Sequence, residues 1–436
     1  MILNRRKLIS ADDKAGQIMQ NNLLNILELA LKEADPYTLT LKKMSTLNFS
    51  SYRKIYVVGA GKGTYRMALA AEEILGDQIT EGIINVPQKL KGTLKKIKIN
   101  LAGHPLPTAG SLRGGRKILT VVKKAQKGDL VLGLFSGGAS ALMSVPVEGI
   151  SLADKIRTTQ VLLRSGANIQ ELNAVRKHLS QIKGGRLAEA ANGSTLISFY
   201  LSDVVGNDLS VIGSGPTAPD KTNFARALEV IKKYNLFHKI PASITSYLEM
   251  GVKDGYKETP KILGKNIINL IIGSHAILAK AAAVAAEKQG FKPVILSDVM
   301  QGITNEIGQS FIKKMHRDNQ KNNLYIASGE TTFTVKTKKP GGRNQQMCLS
   351  VLPYLQEGDY FLSFDSDGVD GVGPEKVGGA LVDGKTLKKA EKKGLNWKKF
   401  ATENNSYNFF KKVGGLIKTG YVGTNLGDLV LLVKNK

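Results

Sequence analysis

The chain has 436 residues, enough for about two or three domains that each bury a full core. Its 62 Lys and Arg outnumber 36 Asp and Glu to give a net charge of +26, and 42% hydrophobic with 6% aromatic residues is a globular balance that excludes wholesale disorder. The 46 glycines follow no collagen-like repeat, and a single Cys excludes a disulfide framework and a cysteine-cluster metal site.

In chain order, amphipathic spacing predicts a helix over residues 14–34, capped by Asp12 or Ser10. A short buried strand at 54–58 turns through Gly59-Ala60-Gly61 into a helix over 64–75. Strands are predicted at 82–86 and 95–101, then a helix near 112–126 and a strand at 129–135. Ser151 and Asp154 form a capping box that opens another helix, and residues 169–191 make one or two helices around Gly184-Gly185. A strand at 195–201 and a helix at 222–234 follow. The pattern pauses around Pro241 and restarts with strands near 266–272, 292–297, 323–328, 331–336 and 359–364, separated by helices near 275–289, 302–318 and 343–355. Repeated strand-then-helix order predicts an α/β protein of two α/β domains with largely parallel sheets. The expected units are a Rossmann-like N-terminal domain over 1–240 and a smaller C-terminal domain over 241–436, joined near 236–260.

The basic residues are scattered, and the densest runs, at 89–98 and 388–399, read as solvated faces without an aromatic-basic stretch or zinc finger beside them. No nucleic-acid partner is expected; small anionic substrates account better for locally placed cations. Arg5, Arg6 and Lys7 are not followed by an apolar targeting core, and residues 267–286 are interrupted by Asn269, Ser274, His275 and Lys280. A soluble cytoplasmic protein without membrane partners is the expectation.

In open α/β sheets, ligands bind beyond the carboxyl ends of strands, so the turns there are where chemistry is sought. Gly59-Ala60-Gly61-Lys62-Gly63-Thr64 is not a Walker A loop, because Tyr56 stands where the first Gly is required. Nor is it a dinucleotide fingerprint, because Thr64 replaces the third Gly. What remains is Lys62 at a helix start, where the dipole disfavours a cation and free N–H groups favour an anion. Either an anion binds between them or the lysine head turns to solvent. Gly341-Gly342-Arg343-Asn344-Gln345 repeats the arrangement in the other half, with an arginine able to grip a carboxylate or phosphate through two parallel hydrogen bonds, or to pair with a surface acid. One such cation per half suggests a cleft closed from both sides.

Phe135-Ser136-Gly137-Gly138-Ala139-Ser140 ends a strand with backbone N–H groups and two hydroxyls that could cradle phosphate, or is a plain tight turn. A hydrolase elbow needs Gly where Leu134 stands, so Ser136 is not read as a nucleophile. Asn173, Arg176, Ser180 and Lys183 share one helical stripe that flanks an apolar one, the position of cleft-lining groups or of a solvated edge. Asp203 and Asp367 follow strand ends, where carboxylates suit Mg²⁺ with a nucleotide and equally suit Asx-turns. The five histidines show no ligand spacing.

The order of these segments resembles the type II glycerate kinases, whose C-terminal part is the MOFRL domain, here about 323–436. The matching segments are Gly59-Ala-Gly-Lys62, Gly103-His104-Pro105, Ser136-Gly-Gly-Ala-Ser-Ala141, Glu171-Leu-Asn173-Ala-Val-Arg176-Lys-His-Leu179, Lys183-Gly-Gly-Arg186, Ser202-Asp-Val-Val-Gly206, Ser214-Gly-Pro-Thr217, Gly341-Gly-Arg-Asn-Gln345, Asp367-Gly-Val-Asp-Gly371 and Gly423-Thr-Asn425. The resemblance implies transfer of the γ-phosphoryl group of ATP, with Mg²⁺, to the 2-hydroxyl of D-glycerate in an interdomain cleft. A 3-kinase and an NAD(P)-linked hydroxypyruvate reductase are the alternatives. It implies catalytic roles for Lys62 and Arg343. Substrate or ATP contacts are expected from Ser136, Gly137, Gly138, Ser140, Asn173, Arg176, Lys183 and Asp367, and Mg²⁺ at Asp203. A monomer or homodimer is expected. Thr108 and Gln346 stand where the family often has Asp and Glu, and Gly302-Ile-Thr-Asn-Glu306 replaces a common Gly-Glu-Ala-Arg segment.

Overall fold

The computed structural model describes residues 1–88, 92–253, 255–318, 320 and 322–434. Lys89, the start of one basic run, and the last two residues of the expected MOFRL region lie outside the described residues. Two compact units emerge: residues 36–272, and residues 1–35 together with 273–436.

The unit over 36–272 is built on six strands: β1 (Ile55–Ala60), β2 (Ile79–Val86), β3 (Ile97–Leu101), β4 (Leu130–Phe135), β5 (Thr195–Leu201) and β6 (Ile267–Gly273). Their order across the sheet is β3-β2-β1-β4-β5-β6, the Rossmann order, and β1 to β5 all pair in parallel. β1 and β4 are apolar throughout and buried at every position, as strands covered by helices on both faces must be. Val58, Val131, Phe135 and Tyr200 from the sheet pack with Ile118 and Val122 of the helix Ala109–Lys123. A second core joins Leu172, Val175 and Leu179 to Phe224, Ile231, Ile244 and Leu248, between helices Ile169–His178, Phe224–Lys233 and Ala242–Val252. This core explains why the unit runs past the pause at Pro241. The helix after that proline completes a hydrophobic cluster, and β6 then adds the sixth strand.

In the other unit, the N-terminal helix Lys14–Glu33 buries Leu23, Leu24, Ile26, Leu27 and Leu31 and packs on the helix His275–Lys288. Asp13 starts it, accepting a hydrogen bond from the Gly16 N–H at 2.7 Å. Six more strands follow: β7 (Lys292–Ile303), β8 (Asn323–Thr332), β9 (Asp359–Asp365), β10 (Gly379–Asp383), β11 (Leu416–Ile417) and β12 (Asp428–Lys434). They assemble as β11-β10-β9-β12-β8-β7. Here the expectation of a largely parallel sheet needs correction: β7 and β8 are parallel, but the other four pairings are antiparallel. The strand-helix-strand order from β7 to β9 is as the sequence predicts. The last strand, however, inserts between β8 and β9 and runs against both. The strand expected at 331–336 is also absent, because β8 continues to Thr332 and ends there. Exposed Lys388, Lys392, Lys393, Lys398 and Lys399 line the outer faces of two short helices, as expected.

Candidate active site

Strand order reverses between β1 and β4, so the crevice beyond their carboxyl ends is the place where a doubly wound sheet binds a ligand. Two Gly-rich turns meet there. The Lys62 N–H donates to the Gly137 carbonyl at 2.9 Å, and the Gly63 N–H donates to Ser136 Oγ at 2.9 Å. Ser136 also lies 3.3 Å from Thr64 Oγ1 and is 1% exposed, so its hydroxyl ties the two turns together. Gly61 has φ +148°, and a Cβ there would fall 2.0 Å from Ser136 Oγ; only glycine permits this approach. Gly138 has φ +89° and lies against His104, where a Cβ would come within 2.9 Å of the ring. Burial and then the nearby Lys62 hold the His104 imidazole below its usual pKa. Lys62 itself is half-buried, just before the helix Thr64–Leu75, as the spacing predicts.

Beside these turns lies a group of buried cations. The helix expected to carry Asn173, Arg176, Ser180 and Lys183 on one stripe ends at His178, with Leu179 as its C-cap. Ser180 instead bridges to Pro146, and Lys183 precedes two left-handed glycines. Folding still gathers the group. Lys183 Nζ donates to the Ser140 carbonyl at 2.6 Å and to Ser140 Oγ at 2.9 Å, and Arg176 Nη2 also donates to Ser140 Oγ. With two cations donating to it, Ser140 Oγ has its proton left for Ser214 Oγ at 2.8 Å, and Ser214 donates to Asn173 Oδ1 at 2.9 Å. Asn173 and Lys183 are 3% and 1% exposed, which excludes a solvated edge. Burial pulls Arg176 down to about 10 and Lys183 well below the usual lysine range, with Arg176 adding repulsion. Lys155 joins this group and was not singled out from the sequence. Its signal was there: on the helix Leu152–Arg164, a lysine shares the buried stripe with Thr158 and Leu162.

Asp203 is half-buried at the carboxyl end of β5. Among the described residues, no three His, Cys, Asp or Glu side chains gather as metal ligands.

In the unit over 1–35 and 273–436, Arg343 opens the helix Arg343–Val351 behind Gly342, as predicted. Its fork is occupied by the protein's own acids. Nε donates to Asp428 at 2.8 and 3.0 Å, Nη1 to Glu330 at 2.6 Å and Nη2 to Asp365 at 3.0 Å. The first N–H groups of that helix, from Asn344 and Gln345, donate to the Asp370 carboxylate at 3.0 and 2.9 Å. The anion expected at this helix start is therefore supplied from within the unit. Burial raises Asp365 well above the usual carboxylate range and pushes Asp428 up to about 6, although Arg343 pulls both down. Asp367 accepts the Val369 N–H at 2.8 Å, an Asx-turn, and is 7% exposed. Sequence spacing could not reveal Glu330, Asp365 and Asp428 as partners of Arg343, since they come from the ends of three separate strands.

Residues 22–249 match the family described as a domain of unknown function, DUF4147, and residues 323–428 match the MOFRL family. Glycerate 2-kinase from Pyrococcus horikoshii is 36% identical over 94% of this chain and 96% of its own length. D-glycerate 2-kinase from Thermotoga maritima is 37% identical over 87% of this chain and 90% of its own. The chain belongs to the type II glycerate kinases. A crystal structure of a glycerate kinase from Thermotoga maritima superimposes with a TM-score of 0.88 at 34% identity, covering 96% of this chain and 99% of that one. Within this glycerate kinase fold, two departures from the family pattern have local explanations. Thr108 precedes the helix Ala109–Lys123 as its N-cap, a task that Thr and Asp share. Gln346 donates through Nε2 to the Ala401 carbonyl at 3.0 Å, which a carboxylate could not do.

Proposed function

We propose that this chain transfers the γ-phosphoryl group of ATP to the 2-hydroxyl of D-glycerate, giving 2-phosphoglycerate and ADP. The bond from the γ-phosphorus to its bridging oxygen breaks as the new P–O bond forms, and the hydroxyl proton is released. Such transfer asks a protein mainly for positioning and neutralisation of charge. The observation that carries the reading is the group of buried cations around Ser140: Arg176 and Lys183 converge on one hydroxyl, and among the described residues neither pairs with a carboxylate. A protein that buries unneutralised positive charge beside the crevice of a parallel sheet is prepared for an anion. The names of the similar proteins, glycerate 2-kinase and D-glycerate 2-kinase, support D-glycerate as the acceptor and, as kinases, ATP as the donor.

In this proposal Lys62 provides the fixed charge at the crevice and stabilises the transferring phosphoryl group. Ser140, Arg176 and Lys183 hold an oxyanion of acceptor or donor, with Asn173 orienting the serines between them. Gly137 and Gly138 let the backbone approach closely, and Ser136 fixes the turn that carries them. Asp203, a single half-buried carboxylate at a strand end, suits Mg²⁺, which takes most of its ligands from water and phosphate. When bound with the nucleotide, Mg²⁺ neutralises phosphate charge. Arg343, saturated by three acids, is proposed to hold the strand ends of its own unit in catalytic register, with Asp367 shaping the adjoining turn.

The test is ADP release measured with and without D-glycerate, alongside absorbance at 340 nm with NADH and hydroxypyruvate. ADP formation that depends on D-glycerate is expected. NADH oxidation without ADP formation would replace the kinase by the reductase.

A further inference from the structure

A cavity of about 350 Å³ opens in the unit over 36–272, with Lys155, Arg176, Lys183 and Ser140 at one end and apolar side chains such as Ile156 and Leu172 around it. Among the described residues, no carboxylate pairs with its cationic end. Arg176 and Lys183 spend hydrogen bonds on Ser140, but Lys155 Nζ is buried with no hydrogen-bond partner among the described residues, and the residue is 4% exposed. The serine chain that begins at Lys183 ends on Asn173 Oδ1, and leaves Asn173 Nδ2, a second buried donor, without an acceptor among the described residues. Burial, then Arg176, then Arg186 push the Lys155 amine well below the usual lysine range. A buried polar donor without a partner is costly, and a buried cation facing other cations is costlier still. A packed core would be better served at Lys155 by an apolar residue of similar length, since no side chain or carbonyl among the described residues accepts from its amine. An acceptor that satisfies these donors is negatively charged and small enough for the charged end of the cavity.

We propose that this cavity is an oxyanion site and that Lys155 is one of its binding residues, completing a three-cation cradle with Arg176 and Lys183. The oxyanion is a carboxylate, as on a hydroxy acid acceptor, or a phosphate group, as on a nucleotide donor; both offer coplanar or tetrahedral oxygens to convergent donors. This deepens the kinase reading and rests on it for the acceptor's identity, but anion binding itself can be observed without turnover.

The experiment compares wild type with Lys155→Met, which keeps the length of the side chain and removes the charge. D-glycerate, inorganic phosphate and ADP are titrated calorimetrically, and KM for D-glycerate and for ATP is measured separately from kcat. The variant is expected to weaken binding of at least one anion by tenfold or more while its melting temperature is maintained. A rise confined to the D-glycerate KM assigns the carboxylate; a rise confined to the ATP KM assigns the phosphate. Either supports the site. Affinities and both KM values within twofold of wild type would overturn it. If Lys155→Met is recovered unfolded, Lys155→Gln carries the same comparison with a polar, uncharged head. Wild type that binds anions through Lys155 yet forms no ADP with D-glycerate would sink the kinase reading and leave the site standing. A fully active enzyme indifferent to Lys155→Met would do the reverse.

Discussion

Lys62 owes its position to a turn that only small residues can make, with Gly61 pressed on Ser136 and the Lys62 N–H fixed to the Gly137 carbonyl. A charge held this way need not reorganise during reaction, which is when an electrostatic contact contributes most. Lys62→Ala should lower kcat by about 10²–10³-fold, the cost of one preorganised contact, as read by ADP release. Activity within about threefold of wild type would remove Lys62 from the chemistry. Arg343 presents a different physical case. It neutralises three acids in a site where Asp428 is fully buried and Arg343 is 22% exposed, so its loss leaves uncompensated carboxylates. Arg343→Met should cost about 3–5 kcal/mol of stability at pH 8. The folded-state pKa of Asp428, about 6 even with Arg343 present, and that of Asp365 lie above their unfolded values. Stability from such groups is present at low pH and lost as pH rises, so the deficit in melting temperature should be smaller at pH 5 than at pH 8. An equal deficit at both would show that the carboxylates are not its cause. The turn that bears Lys62 was legible in the sequence because its strand end, glycines and helix start are consecutive, although Ser136 and Gly137, which fix it, come from a distant segment. The partners of Arg343 were not, because pairing across strand ends leaves no trace in residue spacing.

The helix Ile169–His178 shows how one element serves the proposed site. Asn168 Oδ1 accepts the Glu171 N–H at 2.9 Å and Glu171 returns the bond to the Asn168 N–H at 3.1 Å, so the first turn is closed reciprocally. Glu171 also accepts from Lys233 Nζ at 2.6 Å and the Tyr234 hydroxyl at 2.8 Å, which anchors the helix bearing Asn173 and Arg176 to its neighbour. Those bonds, Lys233 first, hold its carboxyl down at about 2, from an ordinary value of 4.5. A depressed carboxylate contributes stability that is complete above the unfolded pKa and fades as pH falls through the folded one. Glu171→Gln should therefore cost about 1.5 kcal/mol in urea unfolding at pH 7, with the gap to wild type closing as pH falls toward 2. A gap unchanged at low pH would mean that charge plays no part. The sequence led to an unbroken polar stripe here because 3.6-residue spacing continues through Ser180 and Lys183. The chain nevertheless leaves the helix at Leu179, and Lys183 reaches Ser140 from the following segment. Lys155 went unnoticed for the opposite reason: one lysine within an apolar stripe looks like noise until the cavity beside it is seen.

At the scale of the molecule, the parallel sheet was readable because its central strands β1 and β4 are continuous apolar runs, each followed by a glycine turn and a helix. The antiparallel pairings of the second sheet were not: two arise when β12, the last strand, enters between β8 and β9, and two when β10 runs against both β9 and β11. The same holds for residues 1–35, which belong with the second unit through a helix packed against His275–Lys288, far away in sequence. Family membership follows from similarity over nearly the whole chain, whereas the proposed site rests on a few buried cations that pair with no carboxylate among the described residues. Phosphorus NMR of the wild-type protein incubated with ATP, Mg²⁺ and D-glycerate tests both together. Growth of the 2-phosphoglycerate resonance in step with ADP is expected. A spectrum in which ATP persists, or in which phosphate enters the 3-position, would contradict the assigned transfer.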